Sequence, residues 1–244
     1  MQEFVANETT LRVAAFMAVF AAVAVWEAVA PRRERRFKRI VRWPQNLALP
    51  AINNLLLMLV VPGAEVGVAI AAQTHEWGLL PALALPTWVG IVAAIVVLDL
   101  AIYAQHVVFH AVPVLWRMHR VHHADTDFDV TTGLRFHPFE IAVSTAYKGA
   151  VIAAIGASPV AVIAFEILLY ASSMFEHANG RLPQAVDRRL RWIVVTPDMH
   201  RVHHSSVMDE TNSNFGFNIS WWDRLFGTYR AQPAAGHEGM QIGL

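Results

Sequence analysis

The hexapeptide MHRVHH occurs twice, at residues 118–123 and again at 199–204. On a helix His119, His122 and His123 stand at i, i+3 and i+4, and so do His200, His203 and His204. That spacing gathers three imidazoles on one side of each helix and turns Arg120, Val121, Arg201 and Val202 away. Each copy is a claw of three nitrogen donors. His106 and His110 add an i, i+4 pair, with Asp99 and Tyr103 on the same stripe. A single structural zinc takes about four ligands, so eight imidazoles suit two metal ions. Imidazole serves zinc, copper, iron and nickel. Zinc with one open position supports hydrolysis, a task that rarely needs eight nitrogens. Two irons can activate dioxygen and attack an unactivated C–H bond, which no amino-acid side chain does. Taken singly, each histidine reads as a hydrogen-bonded core residue. Regular helical spacing in separate segments argues against that reading, and equally against a low-complexity metal sponge.

Further candidates flank these sets. His177, in FEHANG, is expected to be a ligand; His137, in RFHPFE, either binds metal or holds the site from behind. Glu140, Glu176, Asp198 and Asp223 are candidates for orienting ligand N–H groups, and each equally suits a surface charge or a helix cap. His75 and His237 read as ordinary polar residues.

The elements that must position these residues belong to a membrane. Of 244 residues 55% are hydrophobic and only 16% charged, against about 25% charged in soluble domains. Net charge is zero, which gives no sign of a nucleic-acid partner. The chain lacks cysteine, which excludes disulfides, thiolate metal sites and catalytic thiols. An apolar segment at residues 10–30 is long enough to span, and its acidic N-terminal flank does not suit a cleaved signal peptide. The basic run at 32–42 then stays on the cytoplasmic side. A second segment covers 47–72 and contains Asn53, Asn54, Pro62 and Glu65, so it is expected to be bent or packed inside the bundle. A third covers 85–111 and ends in the first histidine pair. The block 141–175 is divided by GASP at 156–159 and reads as a helical hairpin that dips in and returns to the same side. The fold class is thus all-α and integral to a membrane. It has about three transmembrane helices plus a helical hairpin, with a cytoplasmic histidine-rich helical cap. Two parts are expected: membrane helices over 1–84 and a catalytic unit over 85–244. Counting crossings puts every histidine-rich segment on the side of the basic loop.

From residue 99 to 229 the chain resembles the fatty acid hydroxylase superfamily, also called the sterol desaturase family. The resemblance rests on His106-x-x-x-His110, the two HRVHH motifs, NFG at Asn214 and WWDRLFGTY from Trp221. RFHPFE resembles a stretch found in many sterol-oxidising members, and DTDFDVTTGLRFHP resembles a bacterial subgroup, with some likeness to alkylglycerol monooxygenase. Val107 departs from the family pattern, where many members carry arginine. The resemblance implies a membrane-bound, oxygen-dependent enzyme with two iron ions that hydroxylates or desaturates a lipid. It implies His106, His110, His119, His122, His123, His177, His200, His203 and His204 as metal ligands. It adds Asn214 as a contact to metal through water, and Asp99 and Tyr103 as a polar stripe before the first pair. It also implies O2 as co-substrate and a separate electron donor, whether ferredoxin, flavoprotein or b-type cytochrome.

Competing readings are a zinc-dependent membrane hydrolase, another histidine-rich metal-binding membrane protein such as a transporter, and an inactive scaffold. A transporter needs histidines along a path through the membrane, yet the first one in the chain is His75. Two metals are expected within about 6 Å of each other, with zinc able to replace iron in isolated protein. Lipid substrate is expected to enter laterally, between the third segment and the hairpin, with Ala153 and Ala161 lining a groove. The alternative is that these small residues simply permit close helix packing. The location expected is a bacterial cell membrane.

Overall fold

A computed structural model describes residues 7–60 and 64–244. Among them, all regular structure is helical and only isolated bridges occur between extended stretches. Among the described residues three helices are long and apolar enough to cross a membrane: α1 (Glu8–Val29), α5 (Thr87–Ala111) and α8 (Pro159–Glu176).

The second apolar segment, expected to be bent or packed inside the bundle, forms two helices, α2 (Arg39–Val60) and α3 (Ala64–Thr74); Pro62 lies outside the described residues. α2 opens on Arg39, includes Arg42, carries Pro44 and Pro50 inside it, and turns its polar first half toward the histidine-bearing cap. A short helix α4 (Leu79–Ala82) leads into α5.

The hairpin forms as its sequence suggests. α7 (Pro138–Ile155) ends on Gly156 in the left-handed region (φ 66°), a conformation that glycine adopts at no steric cost. Ser158 then caps α8, its hydroxyl accepting from Ala161 N at 3.3 Å. Both open ends of the hairpin reach the histidines, at Glu140 and at Glu176–His177. α3, α5, α7 and α8 share a core that includes Val66, Leu98, Ile102, Ile152, Val162 and Phe165. Ala161 belongs to this core and is wholly buried, so at that position the small residue serves close packing, not a groove.

Inside the bundle lies a second polar feature. Arg12 Nη2 of α1 meets Glu166 Oε2 of α8 at 2.8 Å, and Lys148 Nζ of α7 meets Glu65 Oε1 of α3 at 3.0 Å and Glu166 Oε1 at 3.8 Å. Two cations and two carboxylates from four helices neutralise each other, which ties the N-terminal helices to the hairpin.

The cap is built from α6 (Pro113–His123), a 3-10 turn at Thr132–Leu134, and short helices. These are α9 (Gln184–Leu190), α10 (Pro197–His203), α11 (Met208–Thr211), α12 (Trp221–Leu225) and α13 (Gly236–Gly239).

Candidate metal centre

Four segments deliver the histidines: the end of α5, α6, the C-cap of α8, and α10. Nine of them fall into two groups. One comprises His106, His110, His119, His123 and His203; the other comprises His122, His177, His200 and His204. Within each group one ring nitrogen per residue lies within 4.8 Å of every other.

Neither claw serves one group alone. His119 and His123 go to the five-histidine group and His122 to the four-histidine group, whereas His200 and His204 go to the four and His203 to the five. Helix geometry explains the division. Residues i and i+4 differ by about 40° around the axis, while i+3 falls about 60° to the other side. The two helices therefore exchange their i+3 residues across the centre.

The spacings suit ions. His106 Nε2 and His119 Nε2 are 3.1 Å apart, His119 and His123 Nε2 3.3 Å. His177 Nε2 stands 3.0 Å from His122 Nε2 and 3.1 Å from those of His200 and His204. Nitrogens about 2.1 Å from a common ion stand about 3.0–3.4 Å from one another. Two neutral acceptors at this distance gain nothing unless a cation lies between them. Buried nitrogens without a hydrogen-bond partner point the same way: among them are His110 Nε2 and His203 Nε2.

The opposite ring nitrogens are held from behind. His106 Nδ1 donates to Phe215 O at 2.8 Å, His203 Nδ1 to Ser213 O at 2.7 Å, and His177 Nδ1 to Ser173 O at 2.7 Å. His119 Nδ1 donates to Glu140 Oε1 at 2.6 Å and His110 Nδ1 to Asn212 Oδ1 at 3.2 Å. Each such bond fixes the tautomer that leaves the other nitrogen free to bind metal. Glu176 is wholly buried, 3.6 Å from His177 Nδ1 and 3.8 Å from His200 Nδ1, and neither of its oxygens has a hydrogen-bond partner. Gly133 makes room for this arrangement, since a Cβ there would stand 2.5 Å from Ser173 O and 2.9 Å from His177 Nδ1.

Burial, followed by the neighbouring imidazoles, pushes His122, His123, His200, His203 and His204 well below the usual histidine range. Burial also lowers His177 to about 3, against the opposing pull of the Ser173 carbonyl. These imidazoles are neutral at physiological pH, the form that ligates.

The remaining sequence candidates have other places. Asn214 adopts φ 52°, and its side chain is committed to backbone: Nδ2 donates to Met199 O and Arg230 O, and Oδ1 accepts from Arg230 N. That turn aims the carbonyls on either side, Ser213 and Phe215, at His203 and His106. Asp223 braces the same loop by accepting from Phe215 N at 2.7 Å and Gly216 N at 2.9 Å. Asp99 accepts from Asn218 N, Ile219 N and Trp222 Nε1, and Tyr103 hydroxyl meets Thr228 Oγ1 at 2.9 Å. Asp198 binds Arg32 and Arg201. His137 lies outside both groups, its Nδ1 accepting from Phe139 N at the start of α7. His75 stacks on Trp77, and His237 sits 3.7 Å from Asp198; neither joins a group.

Sequence reasoning passed over several residues that build the centre. Phe136 stacks on His122 at 4.6 Å, and Phe128 packs against His177 and His204. Glu27 of α1 accepts from Val130 N at 2.7 Å and Asn179 N at 2.8 Å. Arg42 fills the loop of Asp125, Asp127 and Asp129, with Nη2 2.6 Å from Asp125 Oδ2 and Nη1 2.6 Å from Asp129 Oδ2. The basic run is therefore also a scaffold. The acidic spacing D-x-D-x-D was the available signal, because three carboxylates that close together require a cation.

Residues 91–228 match the family model for fatty acid hydroxylase. This chain belongs to that family. As a fatty acid hydroxylase family member it is 30% identical over 168 residues to an ornithine lipid hydroxylase of Rhizobium tropici, covering 68% of this chain and 48% of that one. It is 30% identical over 173 residues to the alkylglycerol monooxygenase of Xenopus tropicalis, covering 67% and 36%. Cholesterol 25-hydroxylase of Rattus norvegicus is 25% identical over 146 residues, covering 59% and 47%. The chain thus spans half or less of the length of these relatives. No solved structure matches it. The names of these relatives are those of lipid hydroxylases and a monooxygenase.

Proposed function

We propose that this chain is a membrane-bound, di-iron, O2-dependent oxidoreductase that hydroxylates a lipid, whether sterol, fatty acyl or ether lipid. The observation that carries the reading is the convergence of nine imidazoles, eight of them buried, into two groups, with five of them held at Nδ1. The balanced reaction is R–H + O2 + 2e− + 2H+ → R–OH + H2O. Two iron ions, when bound, supply the activation of dioxygen. His106, His110, His119, His123 and His203 would hold one, and His122, His177, His200 and His204 the other. Glu140 holds the His119 ring, and Glu176 places negative charge behind His177 and His200. Phe128, Phe136 and Phe215 line the rings and exclude water. The relatives' names favour hydroxylation over desaturation.

Electrons come from a separate carrier, a ferredoxin, flavoprotein or b-type cytochrome. The catalytic unit runs from residue 85 to 244, and the helices of 1–84 brace it through Glu27 and Arg42. The histidines face the cytoplasm in a bacterial cell membrane, on the side of the basic run. The lipid enters between α5 and the hairpin, where Gln105 Nε2 donates to Ser144 Oγ at 3.0 Å and Gln105 Oε1 is left without a partner.

The test is purification from iron-replete cells, metal analysis, and incorporation of oxygen from labelled O2 into lipid. Two irons per chain and labelled product are expected. Metal-dependent activity without oxygen would favour the zinc hydrolase reading.

A further inference from the structure

The cap carries an apolar patch that belongs to none of the metal-binding machinery. Trp192, Ile193, Trp221, Leu225 and Phe226 are each between 52% and 69% exposed. They form one surface. Trp221 Nε1 donates to Trp192 O at 2.7 Å, Ser220 N to Ile193 O at 3.2 Å, and the Arg224 guanidinium lies 4.1 Å over the Trp192 ring. Exposed Arg188 and Arg189 sit just before it in the chain, in the last turn of α9. Single exposed apolar residues need no explanation; a contiguous patch of five large ones does.

The depth of the patch identifies what covers it. Trp222, half-buried beside Trp221 of the patch, donates through Nε1 to Asp99 Oδ2 at 2.8 Å, and Phe226 stacks on Tyr103 with centroids 5.4 Å apart. Asp99 is the midpoint of the 25-residue α5. It lies about 18 Å from either end of a helix about 37 Å long. A hydrocarbon core is about 30 Å thick. With the far end of α5 at the opposite boundary, about 7 Å of helix protrudes on the metal side, and Asp99 remains about 12 Å below that boundary. Tilting the helix only deepens it. The cap segments at 192–193 and 217–226 descend alongside α5 to that level.

We infer that this patch is seated in the leaflet beside the metal centre, with its aromatic and aliphatic side chains in the acyl–headgroup boundary and Arg188, Arg189 and Arg224 at lipid phosphates. Tryptophan and arginine are the residues that such a boundary favours. The cap is then a monotopic lip on the membrane and does not stand clear of it in water. The inference rests on the reading of α5 as membrane-spanning.

The absence of cysteine permits single labels. The experiment places a nitroxide, one at a time, at Ile193→Cys, Trp221→Cys and Leu225→Cys in full-length protein, one molecule per lipid nanodisc containing phosphatidylglycerol. Val92→Cys on α5 serves as the membrane reference, and Gln241→Cys, exposed on the cap, as the aqueous one. Collision with oxygen and with a water-soluble nickel chelate reads depth. The expected result is an oxygen-to-nickel accessibility ratio at the three patch positions several-fold above that at Gln241→Cys and near that at Val92→Cys. Patch labels as accessible to nickel as Gln241→Cys, with Val92→Cys in lipid, overturn the inference alone. Labels reached by neither probe mean that protein covers the patch, which also overturns it. An aqueous Val92→Cys removes the membrane reading of α5 and this inference with it.

Discussion

The metal centre and the ionic cluster inside the bundle are both buried polar sites, built on opposite rules. At the centre, nine imidazole rings converge nitrogen to nitrogen, and several of their nitrogens lack any hydrogen-bond partner. In the bundle, Arg12, Lys148, Glu65 and Glu166 are formally charged, yet every one meets an opposite charge within 4 Å. The first arrangement leaves nitrogens open to a cation; the second balances its charges within itself. Unpaired buried nitrogen marks a ligand site, and paired buried charge marks a clamp between helices.

The largest effect that would break this comparison is at His177. It contacts three other histidines of its group, so His177→Ala should abolish lipid oxidation and lower bound metal, read by elemental analysis of folded protein. Unchanged metal content would remove His177 from the ligands.

Next is the pH dependence of metal-free protein. His122, His123, His177, His200, His203 and His204 all have folded values depressed below 6.5. The unfolded chain therefore takes up protons near pH 6.5, while folded His177 does not do so until about 3. Stability is full above 6.5 and falls as pH drops through that window, by up to about 1.4 kcal/mol per histidine per pH unit. Thermal unfolding of the metal-free protein should show a steep loss between pH 7 and 5. A flat profile over that range would mean that the rings are not held neutral.

A smaller effect distinguishes the clamp. Glu166→Leu alone leaves Arg12 and Lys148 without that partner and should cost about 3–5 kcal/mol, measured by denaturation in detergent, with metal content per folded molecule unchanged. Replacing Arg12, Glu65, Lys148 and Glu166 together by apolar residues of similar size should recover most of the loss. Loss of metal in the quadruple variant would show that the two regions are coupled.

The smallest effect expected is at Glu140. Glu140→Gln keeps an acceptor for His119 Nδ1 but removes the charge, and should weaken metal binding about 10–100-fold, read by competition with a chelator. An unaltered affinity would show that the Glu140 carboxylate does not tune that ligand.

Much of this was legible in the residue order. The i, i+3, i+4 spacing singled out the histidines of α6 and α10 that converge in the two groups, and FEHANG placed His177 where the hairpin returns. GASP marked the turn between α7 and α8, which a left-handed glycine and a serine cap then form. The polar residues and Pro62 of the second apolar segment point to a bent or packed element, and two helices form there, α2 and α3; that α2 begins as early as Arg39 has no signal in hydrophobicity. His137 was left open because a histidine before proline caps a helix as well as it binds a metal.

Residue type and short-range periodicity by themselves determined the chemistry available here: imidazole nitrogens, no thiolates, and helices apolar enough for a bilayer. These are local properties, carried by side chains three or four positions apart. Which claw member joins which group was decided only when α6 faced α10, because that depends on the approach of two helices. The partners that hold the rings were also decided in space. Ser173, Ser213 and Phe215 act through backbone carbonyls that any residue possesses, so no side chain announces them. Arg42 reaches the DTDFD loop, and Glu27 reaches Val130 and Asn179, only because the N-terminal helices pack against the hairpin and cap. Contacts of such sequence separation have no period to read.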